Sequence, residues 1–481
     1  MNILKSLGIS PFLKNIISLE KFYLYRPQSC FVKLSKICED NYLPCQLPNL
    51  IQLQNYIYRY KEQLIAENYP EVKQYLTEVV KKTFNSSLNQ DELFFIHSQF
   101  EKGEVSVLFS SKALIENLIK QSQQQPSFLH IDATYKLIDL GLPLFVISTE
   151  NINHAFRPIC FFISWSESTN QVVLMLTKLK VFMKENFDFE LKPEYILTDN
   201  SDALISGCKK SFSNKFTHLG CHFHLGKRLR EKTQSKELKE KKQLIFFGVK
   251  MLKNSPNHEF FRKVWEIIQD YWKENGVCSD FITTFEKEYI KKQVQWHFGA
   301  AFSGKSRSNN SLESGNNVLK LFFNRKAQNI KTFLAKMKEF IIEWSAQNKI
   351  SFPNQVTYKS EIMRAAEERT KEENFVFSEE TPDKLYYPRK GVSKELLNTA
   401  LIALLNRKDI PDTLNELHKG WSYYRIIDVL QNECNCADFY RYNYCKHLLS
   451  LQMLDGQLGD PEIKAKGKRG RKPTISKALK M

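Results

Sequence analysis

Ser127–Leu137 reads SFLHIDATYKL, and Tyr195–Asn200 reads YILTDN. Each is a short apolar run that ends on an aspartate: Phe128-Leu129-His130-Ile131 on Asp132, and Tyr195-Ile196-Leu197-Thr198 on Asp199. Runs of this length, rich in aliphatic, β-branched and aromatic residues, are strand-like. Two more follow the first, LPLFVISTENI (Leu142–Ile152) and AFRPICFFISW (Ala155–Trp165). Asp139-Leu140-Gly141 and Asn151-Ile152-Asn153 bound them as turns. Val172, Leu176, Leu179, Phe182 and Met183 then recur at helical spacing. Beyond Asp199 the pattern predicts a short helix over 203–212 and a fifth strand over 216–224.

Three strands, a helix, a strand, a helix and a strand is the order of a ribonuclease-H-like α/β fold. In such a sheet the strands that end on Asp132 and Asp199 are neighbours, so their carboxylates meet at one sheet edge. Two close carboxylates repel, and a divalent cation relieves the repulsion. Mg²⁺ suits the site, being hard and content with one or two carboxylates plus phosphate oxygens. A third carboxylate would hold a second ion about 3.5–4 Å away, the arrangement that serves phosphoryl transfer. Glu313, in Ser308-Asn309-Asn310-Ser311-Leu312-Glu313-Ser314 at the start of an apolar-periodic segment, is the candidate. Asp139, Glu150 and Asp202 lie nearby but read otherwise, Asp139 as a turn residue and Asp202 as a first-turn helix carboxylate.

Upstream, 1–124 is mixed. It holds a helix-like stretch from Tyr56 to Phe84, two short strands (ELFFIHSQF and EVSVLF) and the helix SSKALIENLIKQ, which Ser110 or Ser111 is placed to cap. Cys30, Cys38 and Cys45 have no fourth ligand at hand and read as ordinary buried thiols. Downstream, Leu225–Lys253 carries ten Lys or Arg against three Glu at helical spacing, with helices continuing to about Trp296. Trp265, Trp272 and Trp296 read as packing anchors. A polar loop covers 302–310, a helix 316–344, and a charged, partly helical connector 351–410.

The chain has 481 residues, enough for several domains, and its 42% apolar and 13% aromatic content excludes disorder over most of its length. Its 70 Lys and Arg outweigh 53 Asp and Glu, a net charge of +17 that points to a polyanionic partner such as nucleic acid. No uninterrupted apolar run reaches the ~18 residues of a membrane span. Ten cysteines spread over this length fit a reducing compartment, with any organised ones binding metal.

Residues from about 90 to 350 resemble the transposase domain of Mutator-like elements, the MULE group. The matching stretches are Asp132-Ala133-Thr134-Tyr135-Lys136, Thr198-Asp199, Cys221-His222-Phe223-His224, Trp296, and Asn310-Ser311-Leu312-Glu313-Ser314 leading to Asn317 and Lys320. The resemblance implies an Asp-Asp-Glu triad at Asp132, Asp199 and Glu313 holding Mg²⁺ or Mn²⁺. It also implies a helical insertion over about 225–296, a Cys-x-x-His signature at Cys221 and His224, and multimeric action on DNA. Water would attack the strand first and a freed 3′-hydroxyl second.

Cys434-Asn435-Cys436 and Cys445-Lys446-His447 give Cys-x-Cys, eight residues, Cys-x-His, a tetrahedral Zn²⁺ ligand set. This pattern, over about 411–455, resembles the SWIM zinc finger, which implies binding to DNA or to a protein partner. The tail from 456 is basic. Its Lys468-Arg469-Gly470-Arg471-Lys472 is similar to an AT-hook core, with Arg469 and Arg471 suited to a narrow minor groove. It reads equally as a nuclear import signal. Lys227 and Arg228 are candidates for phosphate contacts. The expectation is a nuclear, DNA-cleaving transposase over 125–350 with a C-terminal zinc module. The alternative is a domesticated, non-cleaving DNA-binding regulator derived from one.

Overall fold

The computed structural model describes residues 9–20, 27–40, 47–57, 59–60, 74, 84–101, 104–138, 141–255, 257–292, 294–301, 304, 310–348, 356–371, 376–377, 383–388 and 424–456. Cys45, Asp139, the loop around Ser308, and the basic tail with Arg469 and Arg471 lie outside them. The chain divides into two compact units. One comprises 1–246, 277–301 and 306–355, the other 247–276, 302–305 and 356–481.

The first unit is mixed α/β. Strands β1 (Leu93–Glu101), β2 (Glu104–Ser111), β3 (Phe128–Thr134), β4 (Leu144–Glu150), β5 (Phe156–Ser164), β6 (Tyr195–Thr198) and β7 (Thr217–Gly220) form one sheet in the order β1-β2-β5-β4-β3-β6-β7. β3, β6 and β7 are parallel, and the remaining pairs are antiparallel. The expected fifth strand stops at Gly220, because His222 already begins a helix.

An N-terminal cluster holds α1 (Pro11–Leu19) and α2 (Pro27–Asp40), where Leu13, Ile17, Cys30, Leu34, Cys38, Leu53 and Tyr56 pack together. Buried in that apolar cluster, Cys30 and Cys38 are packing residues, as their sequence context suggests. Around the sheet lie α3 (Lys112–Gln124), α4 (Thr169–Phe187), α5 (Asp202–Phe212) and α6 (His222–Lys232). Ser111, Ser168 and Ser201 cap the first three of these, each side chain accepting a backbone N–H three residues on. The basic stretch that follows breaks into α6, α7 (Lys236–Lys239) and α8 (Lys242–Lys253). Later come α10 (Ser279–Phe285), after α9 described below, then α11 (Asn310–Phe322) and α12 (Ile330–Asn348).

Strand side chains alternate between faces, and both faces are covered. Leu129, Ile131, Phe145 and Ile147 face one core with Val172, Leu176 and Leu179 of α4 and Leu204 and Cys208 of α5. Leu144, Val146, Phe161 and Ile163 face the other with Leu319 of α11 and Phe333, Leu334, Met337 and Phe340 of α12. On β3 this places Asp132 and Thr134 on the face opposite Leu129 and Ile131, the side that α11 covers.

In the second unit, β8 (Val376–Phe377), β9 (Lys384–Pro388), β10 (Tyr424–Asp428) and β11 (Glu433–Cys434) form a sheet in the order β11-β10-β9-β8. β8 and β9 thus come from the segment read as a connector. α9 (His258–Glu274) buries Trp265 and Trp272, and in the first unit Trp296 is only 1% exposed, so all three tryptophans pack as anticipated. α13 (Ser360–Thr370) lies on α15 (Lys446–Leu454) through Met363, Ala366 and Leu449, beside α14 (Ala437–Tyr442).

The helix that follows Asp199 depends on one glycine. A Cβ on Gly207 would stand 2.4 Å from Val172 Cγ1 and 2.5 Å from Val172 Cβ, and Val172 is fully buried. The Val172 Cβ is fixed to its own backbone, so α4 and α5 must separate to admit a methyl group. Gly207→Ala is expected to cost about 1–3 kcal/mol. Thermal unfolding checks this, with a fall in Tm of several °C.

Candidate metal centres

Asp132 sits near the C-terminal end of β3, and Asp199 directly follows β6. Because β3 and β6 pair in parallel with Ile131 opposite Thr198, the two aspartates emerge side by side. Glu313 occupies the first turn of α11, where a carboxylate favours the helix dipole. All three line one cavity of about 460 Å³, together with Thr134, Tyr135, Lys136, Glu167, His224, Lys227, Arg228, Asn316 and Lys320. Ligand atoms of Asp132, His224 and Glu313 lie within 4.8 Å of one another. Asp199 stands outside that tight group. One of its carboxylate oxygens accepts the Ser201 N–H at 2.9 Å, and the other lies 3.7 Å from Arg228 Nη2.

The electrostatics follow from burial. Asp132 is 7% exposed, and loss of water around its carboxyl pushes the pKa up to about 8, with Asp199 and Glu313 adding to the rise and His224 opposing it. For His224, burial disfavours the imidazolium, but hydrogen bonding to Cys221 and Glu313 raises its pKa to about 10. His224 Nε2 is 3.1 Å from Glu313 Oε1, and that hydrogen bond holds the Glu313 carboxyl below its usual range.

The Cys-x-x-His signature leads into the same cavity, which His224 lines. The structure buries Cys221 at the cap of α6 and turns His224 onto Glu313. The neighbouring His218 and His222 are engaged elsewhere: His218 Nε2 is 2.7 Å from Thr198 Oγ1, and His222 Nε2 meets the Trp296 carbonyl. The neighbouring acids separate as well. Asp202 is in the first turn of α5 and pairs with Lys292 at 2.9 Å, while Glu150 is buried between His130 and His154. Lys227 and Arg228 line the cavity beside the acids.

Sequence reasoning missed Asn316 and the Tyr135–Glu167 hydrogen bond, both in the cavity wall. Glu313, Asn316 and Lys320 stand at helical spacing i, i+3 and i+7, so one stripe of α11 faces the cavity. That spacing was the available signal.

The second centre is in the other unit. β11 delivers Cys434, Cys436 caps α14, and Cys445 caps α15, whose second residue is His447. The four are buried, with ligand atoms within 4.8 Å of one another, and His447 Nδ1 lies 3.7 Å from the sulfurs of both Cys434 and Cys445. Hydrogen bonds from Cys434 and Cys445 hold the Cys436 thiol well below its usual range, the Cys434 and Cys445 thiols are raised by the bond to Cys436 and by burial respectively, and burial lowers the His447 imidazole. A thiolate and a neutral imidazole are the forms that bind a soft or borderline metal. Among the described residues these two clusters are the groups placed to hold a metal ion, and no helix is long and apolar enough to cross a membrane.

Residues 128–228 match the family model of the MULE transposase domain. That segment starts on the first residue of β3 and holds Asp132, Asp199, Cys221 and His224, whereas Glu313 lies beyond it. No curated protein matches the chain.

The buried acid gives stability a definite pH dependence. With the Asp132 carboxyl near pH 8 in the folded protein and near 3.8 unfolded, the folded state holds the extra proton between those values. Stability is therefore lost as pH rises from about 4 to about 8. Without added divalent ions, Asp132→Asn should match wild type in Tm near pH ~3.5, below both values, and exceed it at pH ~9 by at least ~3 °C, a change of about 1 kcal/mol in a domain of this size. Calorimetry at the two pH values checks this.

Proposed function

We propose that this protein is a DNA transposase of the Mutator-like type, with a ribonuclease-H-like catalytic core and a SWIM-type zinc module. The observation that carries the reading is the convergence of Asp132, Asp199 and Glu313 on one cavity from β3, β6 and α11. The family match at 128–228 supports the transposase class. The order β5-β4-β3-β6-β7 within the sheet supports the fold, since three antiparallel strands are followed by two strands parallel to the first.

Asp132, Asp199 and Glu313 are hard oxygen donors and fit Mg²⁺ or Mn²⁺. Bound there, such ions supply charge neutralisation and Lewis acidity for in-line phosphoryl transfer. The chain's own residues do the rest. Asp132 and Glu313 would hold the ion as carboxylates, and His224, 3.1 Å from Glu313, would stand beside it as a charged donor. Lys136, Lys227, Arg228 and Lys320, on the same wall, meet the phosphates of a DNA strand and hold it in register. The overall charge of +17 draws that polyanion in. The basic segment around Arg469 and Arg471 adds minor-groove contact and nuclear import, and the protein acts as a multimer.

Nicking and strand transfer on plasmid DNA with Mg²⁺ or Mn²⁺ test the reading. Asp132→Asn and Glu313→Gln are expected to lower the rate by at least ~100-fold, the scale on which metal sites lose activity when a supporting partner is removed. Cleavage that survives both substitutions contradicts it. DNA binding without any cleavage by the wild type would select the non-cleaving regulator instead.

For the second centre we propose Zn²⁺ held by Cys434, Cys436, Cys445 and His447, with the module contacting DNA or a protein partner. Elemental analysis of the purified chain should give about one zinc per protein. Cys445→Ser should lose it and lower the Tm of the C-terminal unit, because in so small a core the metal supplies folding energy.

A further inference from the structure

The wall of the acidic cavity contains two neutral oxygens that the triad does not explain. Asn316, 4% exposed, donates from Nδ2 to Asp132 Oδ2 at 3.2 Å. With an ion bound, Asp132 is an ionised carboxylate and only accepts hydrogen bonds, which keeps the amide nitrogen on Asp132 and its Oδ1 turned away. That Oδ1 is buried and has no hydrogen-bond partner among the described residues. Thr134, 3% exposed, lies two residues after Asp132 on the same face of β3, and its Oγ1 is likewise buried and unpartnered among them. Both residues line the cavity with Asp132, Glu313 and Asp199. Buried polar oxygens are ordinarily satisfied, so two together beside a cluster of acids call for a ligand that seeks oxygen.

The chemistry of the position narrows that ligand. An acceptor oxygen set among carboxylates repels an anion and suits a hard cation, which takes Asn carbonyls and hydroxyls along with carboxylates. A fourth carboxylate at 316 would add charge beside the already disfavoured Asp132, and an apolar residue would remove the donor that fixes Asp132 Oδ2. Asparagine supplies a donor and an acceptor without charge.

We propose that Asn316 is a positioning residue of the divalent-ion site. Its Nδ2 locks one oxygen of Asp132 so that the other faces the ion, and its Oδ1, with Thr134 Oγ1, offers neutral oxygen to the ion's shell. This rests on the reading of Asp132 and Glu313 as ion ligands.

The test is Mn²⁺ binding by the full chain, zinc-loaded, followed by the electron paramagnetic resonance signal of free Mn²⁺, so no catalytic turnover is needed. Asn316→Leu is expected to raise the Kd about 10–100-fold, the effect of losing a partner of a metal ligand. The rise in Tm that Mn²⁺ confers on the wild type should shrink in the variant, which a purely structural role would not produce. Thr134→Val keeps the side chain's shape and removes only the hydroxyl. It should weaken binding at least threefold, and it decides the matter if Asn316→Leu does not fold. Kd values within twofold of wild type for the folded variants, with Asp132→Asn abolishing binding, would overturn the role of the neutral oxygens and leave the ion site standing. If the wild type binds no Mn²⁺, or Asp132→Asn binds as wild type does, the ion site itself fails and this role falls with it.

Discussion

Three carboxyl groups from distant parts of the chain share one cavity, and the one buried deepest sets the terms for the others. Asp132 cannot ionise there without cost, because water is excluded and like charges stand close by. The protein places His224 against Glu313 and Arg228 near Asp199, so two of the acids already have a positive partner. Asp132 has Asn316 instead, a neutral one. The arrangement balances charge without filling the centre. It is a site under electrostatic tension, which a small divalent cation would relieve in the function we propose.

The rest of the first unit serves that placement. Parallel pairing of β3 and β6 sets the two aspartates side by side, and the ladder continues to β7, which leads through Cys221 into α6 with His224 and Arg228. On the other face of the sheet, α4 and α5 pack so closely against each other that Gly207 admits no side chain. α11 is pinned by Leu319 in the core below while its Glu313, Asn316 and Lys320 look into the cavity. A second glycine, Gly315, lets that helix lie close to Phe156 of β5, where a Cβ would meet the ring at 2.4 Å.

Much of this was legible in the sequence, for physical reasons. Asp132 and Asp199 stood out because each closes an apolar run, and a strand that ends on a carboxylate delivers it to a sheet edge. The helices after Ser111, Ser168 and Ser201 carry their caps in the sequence. What stayed hidden was non-local. β1 and β2 extend the same sheet because β2 pairs with β5, some fifty residues on, and local pattern cannot show such a pairing. β9 pairs with β10 across a long stretch, so the segment before it read as connector although Tyr386 and Tyr387 are core residues of the small sheet. Asn316 looked like any polar helix residue until α11 was seen against β3. The four zinc-type ligands were legible because their spacing alone limits the chemistry, and the structure draws them together.

The central claim is that a divalent ion belongs between Asp132 and Glu313, and a crystal of the protein grown with Mn²⁺ tests it most directly. Anomalous scattering should place manganese within coordinating distance of Asp132 and Glu313 oxygens, with Asp199 turned toward it and His224 moved off Glu313. A fully occupied crystal with no anomalous peak in that cavity, and His224 still bonded to Glu313, would contradict the account.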